Sequence, residues 1–218
     1  MDTSAVVAPP FVAKPLRLHP FRGLRLTRGR VGTASSGRVF ARPYHAVAQR
    51  LAEWQELGQV QHDATPAVYL HEYTVGGITV RGLVGALDLN QLGSGGAAVP
   101  AVLPHEGVHP PQVRELAERM EEMDINPAPI LLVHRGPTSV REMVTQLLGT
   151  PPSWRFSDRA GQRHRLWSIT DPDRLATIDE GLAAGQALIA DGHHRYAAYL
   201  RLRDAHPGTP WGRGLAML

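Results

Sequence analysis

The sequence predicts an α+β fold built on a mixed sheet, and three observations predict it. Two β-hairpins are legible, one turning at Gly76-Gly77 and one at "DRAG". Around them, apolar runs alternate with stretches of helical periodicity, the pattern of strand–helix units. Hydrophobic residues make up 43% of 218, enough for a real core, yet no apolar run is long enough to cross a bilayer.

Residues 1–16, rich in Ala, Val and Pro, read as a flexible leader, and 17–218 as a single α+β domain. "HPFRGLRL" reads as a first strand and "GRVGTASSG" as a loop. In "YHAVAQRLAEWQEL", Val47, Leu51, Trp54 and Leu57 recur at helical spacing, and Gly58 ends the helix. The β-runs "AVYLHEYTV" and "ITVRGLVGALDL" flank Gly76-Gly77, and "GSGGAAVP" is a loop. "AVLPHEGVHPP" leads into the helix "QVRELAERMEEM", where Val113, Leu116, Ala117, Met120 and Met123 form one apolar stripe suited to the core. "APILLVH" reads as a buried strand. Ser139 and Glu142 have capping-box spacing for "VREMVTQLL", which Gly149 closes. "SWRFSDRAGQRHRLWSI" is the second hairpin. Asp171 and Pro172 suit the start of a helix ending at Gly185. The strand "QALIA" then runs to about Ala190, a helix begins around His194, and "WGRGLAML" opens a further strand.

Composition removes several chemistries. There is no cysteine, which excludes disulfides, thiolate nucleophiles and cysteine–zinc sites. Lys14 is the only lysine and no Gly-Lys-Ser/Thr occurs, which excludes a P-loop. Any phosphate must be held by Arg, His, backbone N–H groups or a metal. The N-terminus carries an acid and prolines where an export signal wants basic and apolar residues, so a cytoplasmic protein with no membrane contact is expected. Between Asp2 and Glu53 there is no acidic residue, while Lys14, Arg17, Arg22, Arg25, Arg28, Arg30, Arg38, Arg42 and Arg50 fall there. Such a segment meets nucleic acid or phosphorylated ligands, or pairs with acids elsewhere in the fold.

The chemistry concentrates in "IADGHHRYAAYL", where a buried strand turns into a helix. First-turn N–H groups lack partners and attract anions. Gly192 lets a ligand approach the backbone, and Arg195 offers a bidentate fork suited to phosphate. His193 and His194 add donors, proton transfer or metal ligation. Asp191 could hold a metal or a hydroxyl, or simply cap the helix. Tyr196, Tyr199, Leu200 and Leu202 pack. In "VLPHEGVHPP", Glu106 suits a general base, with His105 as acid or ligand. His109 is followed at once by Pro110 and Pro111, so HEGVH is not the helical zinc signature. Asn126 in "MDINPAPI", and Arg42 and His45 in "FARPYHAV", are further candidate ligand contacts.

The stretches "HPFRGLRL", "RPYHAV", "VLPHE", "NPAPILLV", "HRLWSITDP" and "IADGHHRYAAYL", in this order, resemble the prokaryotic domain-of-unknown-function family ten-fifteen, from about residue 18 onward. That family usually has an aspartate where this chain has His45, which weakens a catalytic role there. Its members are commonly close to twice this length, so the resemblance implies a C-terminal part missing here. More loosely, a strand followed by Gly-x-His-Arg opening a helix is similar to the phosphate-binding junction of the ParB/sulfiredoxin-like superfamily. Without cysteine, its thiol-repair branch does not fit, and the free-serine-kinase branch fits best. That similarity implies a phosphotransferase for a small hydroxylated metabolite, using Mg and a nucleotide (ATP or ADP). Gly192, His193, His194 and Arg195 would hold the phosphoryl group, Asp191 a magnesium ion or the hydroxyl, Glu106 would take the proton and His105 would orient it. The partner expected is a small phosphorylated ligand. Two other readings stay open: a nucleotide- or nucleic-acid-binding regulatory module using the basic segment, and a metal-dependent hydrolase built on His105, His109, His193 and Asp191.

Overall fold

Gly76 and Gly77, at φ 56° and 79°, turn the first hairpin between β4 (Val68–Val75) and β5 (Ile78–Asp88). Both central residues sit at positive φ, the geometry of a tight turn whose twist matches its strands, and glycine adopts it without a Cβ penalty. The computed structural model describes residues 16–26, 44–90, 100–158, 160–183 and 185–218. Before this hairpin come β1 (Leu18–His19), β2 (Leu24–Leu26), α1 (Tyr44–Glu56) and β3 (Val60–His62). After it come β6 (Val102–Leu103), α2 (Pro110–Met123), β7 (Ile130–Val133) and α3 (Thr138–Leu148). The second hairpin is β8 (Trp154–Ser157) and β9 (Arg163–Ile169), followed by α4 (Pro172–Ala183), β10 (Ala187–Asp191), α5 (His193–Ala205), a 3-10 turn at Pro210–Gly212 and β11 (Arg213–Met217).

The fold is α+β with a mixed sheet. Its strands run β6-β10-β7-β11-β5-β4-β9-β8, with β1 also on β5, while β2 and β3 form a separate pair. β10 with β6 and β11 with β7 are parallel, and the other pairs are antiparallel. Burial alternates along the strands. Ala187, Ile189, Ile130, Leu132, Leu70, Leu83 and Trp167 are buried, while Leu188 and Val133 on the reverse face are 44% and 57% exposed. One face therefore carries the core, shared with Val113, Ala117 and Met120 of α2, Val140, Met143 and Leu147 of α3, Ile178 and Leu182 of α4, and Tyr196, Tyr199 and Leu202 of α5. The apolar stripe on α2 is where its spacing places it. No helix among the described residues is long and apolar enough to cross a membrane.

Several local expectations need correction. "HPFRGLRL" is two short strands with a bridge at Phe21 between them, because β1 joins β5 and β2 joins β3. Ser139 caps nothing: α3 begins at Thr138 behind an extended Pro137, which puts Ser139 inside the first turn. Asp171 does cap α4, accepting from the Arg174 N–H at 3.0 Å, and the Gly185 N–H donates to the Leu182 carbonyl at 2.9 Å. β3 and β6 were not foreseen as strands. The arginine-rich segment falls largely outside the described residues, Arg28, Arg30, Arg38 and Arg42 included. Arg17 lies 3.7 Å from Asp179.

Candidate functional site

β10 carries its extended backbone through Asp191, one residue further than the apolar run suggests. Gly192 then turns at φ 96° and α5 starts at His193. A Cβ at Gly192 would come within 2.9 Å of Ile130 Cγ2 and 3.1 Å of the Arg195 guanidinium, so both conformation and space call for glycine. No side chain caps α5. Asp191 is therefore not the cap. Its Oδ2 instead accepts from Arg195 Nη2 at 2.6 Å, and Arg195 Nη1 donates to the carbonyl of Pro129. The guanidinium fork braces the strand end against the loop entering β7. Tyr199, one turn on, donates to the carbonyls of Ala128 and Leu215 at 3.1 and 3.3 Å. Burial pushes its phenol up to about 12.

The parallel pairing of β6 with β10 sets Val102 beside Ala187 and Leu103 beside Leu188. The chain leaving β6 thus passes over the start of α5. His193, 5% exposed, receives it. Its Nε2 lies 3.5 Å from the donating His105 N–H and 3.3 Å from His105 Nδ1, and its Nδ1 lies 3.4 Å from Glu106 Oε2. A backbone N–H can only donate, so Nε2 is an acceptor and the His193 proton belongs on Nδ1, facing Glu106. His105 stands edge-on to His193, the rings at 85° and 4.5 Å apart. The result is a series: carboxylate, buried imidazole, exposed imidazole.

The next residues link the two helices. The His109 N–H, at the N-cap of α2, donates to His194 Nε2 at 3.1 Å, and the two rings stack at 5.8 Å. At the other ends, Glu121 Oε1 in the last turn of α2 and Nε2 of His206, just past α5, meet at 2.7 Å. α2 and α5 therefore run side by side in the same direction, with both N-termini beside the His105–Glu106–His193 group. Their aligned peptide dipoles add partial positive charge there.

The structure brings His105, Glu106, His193 and His194 into one group, with Asp191, Gly192 and Arg195 at its base. Asn126 hydrogen-bonds none of these residues, and its Oδ1 is buried without a partner among the described residues. His45 lies in α1 with its side chain outside the described residues, and Arg42 lies outside them altogether. Among the described residues, no group of three or more His, Asp or Glu is arranged to hold a metal ion. His109 and Asp191, two of the four ligands a metal-dependent hydrolase would need, are turned to His194 and Arg195 instead.

Three participants escaped the sequence reading: the Pro129 carbonyl, the His109 N–H, and the central place of His193. The first depends on the β7–β10 pairing and the other two on the β6–β10 pairing, and neither leaves a mark in local sequence. A further histidine pair, His71 Nε2 with His164 Nδ1 at 3.0 Å, lies across β4 and β9 under Phe156. Burial, with the charge of His164 second, holds the His71 imidazole below its ordinary value.

No curated protein matches the chain, and no solved structure does. The family model that matches is described as "Protein of unknown function (DUF1015)", in keeping with the order of motifs from "HPFRGLRL" to "IADGHHRYAAYL". It spans residues 6–218, and the chain belongs to that family.

Proposed function

We propose that the chain is a phosphate-handling enzyme, a phosphotransferase that acts on the hydroxyl of a small metabolite. One observation carries this reading: the N-termini of α2 and α5 open side by side onto the Glu106–His193–His105 series. The first-turn N–H groups of α5 favour a phosphate, and α2, whose first two positions are Pro110 and Pro111 without N–H groups, adds only its dipole. The hydroxyl proton then passes to His105 Nε2, which has no partner among the described residues. For that nitrogen to accept, the His105 proton must sit on Nδ1, where it donates to His193 Nε2. Glu106 holds the His193 Nδ1 proton in place and offsets the charge that reaches His105. In this reading the base is His105 rather than Glu106, and Arg195 is a brace rather than a direct phosphate ligand.

A nucleotide such as ATP or ADP, with magnesium, would supply the phosphoryl group and neutralise its charge. Magnesium usually takes one or two carboxylates plus substrate phosphates, so the lack of a three-ligand group among the described residues fits it better than zinc. Asp191, exposed at the strand end, would offer only Oδ1 to the ion, since its Oδ2 accepts from Arg195. The similarity of Gly192–Arg195 to the ParB/sulfiredoxin-like junction supports the same class. Phosphorus NMR of the chain with ATP, magnesium and a panel of small hydroxylated metabolites tests it. ADP and a new phosphomonoester are expected, and both should vanish in His105→Asn at unchanged thermal midpoint. Absence of any ATP or ADP effect on the amides of His193, His194 and Arg195 would reject the reading.

A further inference from the structure

A cavity of about 550 Å³ opens on the helix-covered side of the sheet, far from the junction just described. Leu70 and Leu83 of the sheet, Val140 and Val144 of α3, and Leu182 of α4 form its apolar lining. It lies at the other end of β7. Asp191 pairs with Leu131 near the start of that strand, whereas His134, Arg135 and Gly136 follow its last residue and border the cavity.

The polar lining has one sign. Arg81, Arg135 and Arg141 reach it, and among the described residues no Asp or Glu lines it. Arg81 is held by Glu72, with Nε 2.8 Å from Oε2, but the same carboxylate also takes Arg165, so one negative charge serves two guanidinium groups. Neither Arg135 nor Arg141 has a carboxylate partner among the described residues. Arg141 donates only to Thr138 Oγ1, at 3.3 Å. The turn presenting Arg135 is fixed: His134 Nδ1 accepts from the Gly136 N–H at 2.9 Å, and Gly136 sits at φ 37°. A site of this size suits a small molecule. Its apolar floor and uncompensated guanidinium groups suit an anion with an apolar body.

We propose that this cavity is a second binding site, taking a small amphipathic anion whose phosphate or carboxylate head meets Arg135 and Arg141 while its apolar body lies on Leu70, Leu83 and Val144. The test follows the amides of Gly136, Val144 and Leu148 by NMR during titration of the full chain. The probes are 1-naphthyl phosphate and octanoate, with 1-naphthol and inorganic phosphate as controls lacking one half of the ligand. Saturable shifts with either amphipathic probe support the proposal, and which probe binds more tightly identifies the head group and body preferred. Arg135→Ala with Arg141→Ala should weaken binding at least about tenfold, and Val144→Trp should abolish it, both at near-native thermal midpoint. No shifts up to about 1 mM, equal binding of 1-naphthol or inorganic phosphate at these amides, or an unaltered affinity in the double arginine variant would overturn it.

Discussion

Nδ1 of His193 stands 3.4 Å from Oε2 of Glu106, although the two residues belong to different strand–helix units. The contact joins a 5% exposed side chain to a 65% exposed one, so the carboxylate is the wet end of the pair and the imidazole the dry end. Imidazole nitrogen NMR should find His193 protonated at Nδ1 and bare at Nε2. Glu106→Gln should leave the fold unchanged and slow the proposed phosphoryl transfer by about a hundredfold or more. A His193 protonated at Nε2 would break the series.

Gly192→Ala tests the junction without removing a polar group. The new methyl would meet Ile130 and Arg195 from a backbone at φ 96°. Chemical denaturation should register a loss of about 1–3 kcal/mol. Retained stability would mean that the strand-to-helix turn relaxes freely.

Glu72 bridges Arg81 and Arg165 across three strands while 5% exposed. Burial pushes its carboxyl up, but hydrogen bonds and charge from the two arginines outweigh this and hold it below its ordinary 4.5. A lowered carboxylate contributes stability above that ordinary value and loses it as pH falls through the lowered one. Glu72→Ala should cost about 2 kcal/mol at neutral pH, since both arginines keep access to water. It should also flatten the acid limb of the denaturation midpoint below about pH 4.5. An acid limb identical to that of the unaltered chain would remove Glu72 from this role.

Tyr199 gives the opposite limb. Its phenol is raised to about 12, so its contribution is complete below about pH 10 and fades as pH rises through the folded value. Tyr199→Phe removes the hydroxyl that the Ala128 and Leu215 carbonyls share and should cost about 1–2 kcal/mol at neutral pH. It should also remove part of the alkaline loss of stability, which a midpoint series from neutral to alkaline pH would show.

Elements with their cause in a few adjacent residues were legible. The Gly76-Gly77 turn, the α2 stripe, the Asp171 cap and the crowded turn at Gly192 each state their geometry locally. Ser139 misled because the same spacing can sit at a helix start or one residue inside it, and Pro137 moved the start. The site was legible in two halves. Both the "VLPHE" and "DGHHR" stretches announced polar chemistry, but their meeting spans 88 residues and rests on a two-residue parallel pairing. The contacts of Arg195 were hidden for a related reason: the Pro129 carbonyl that engages it comes from a distant loop. Residues such as His71 and His164 stayed silent because alternation along a strand does not reveal its neighbour.

β11 has a consequence for assembly. It lies between β7 and β5 and is the strand that joins β6-β10-β7 to β5-β4-β9-β8. Until residues 213–217 are in place, the two halves have no shared hydrogen-bond ladder, and Ile130 and Leu87 each face an empty lane. Because β11 follows both sets of strands that it joins, closure waits until both halves have been synthesised, and the pairing it completes is long-range. β11 therefore works as a keystone. A stalled or cleaved chain lacking it would expose two raw sheet edges at once.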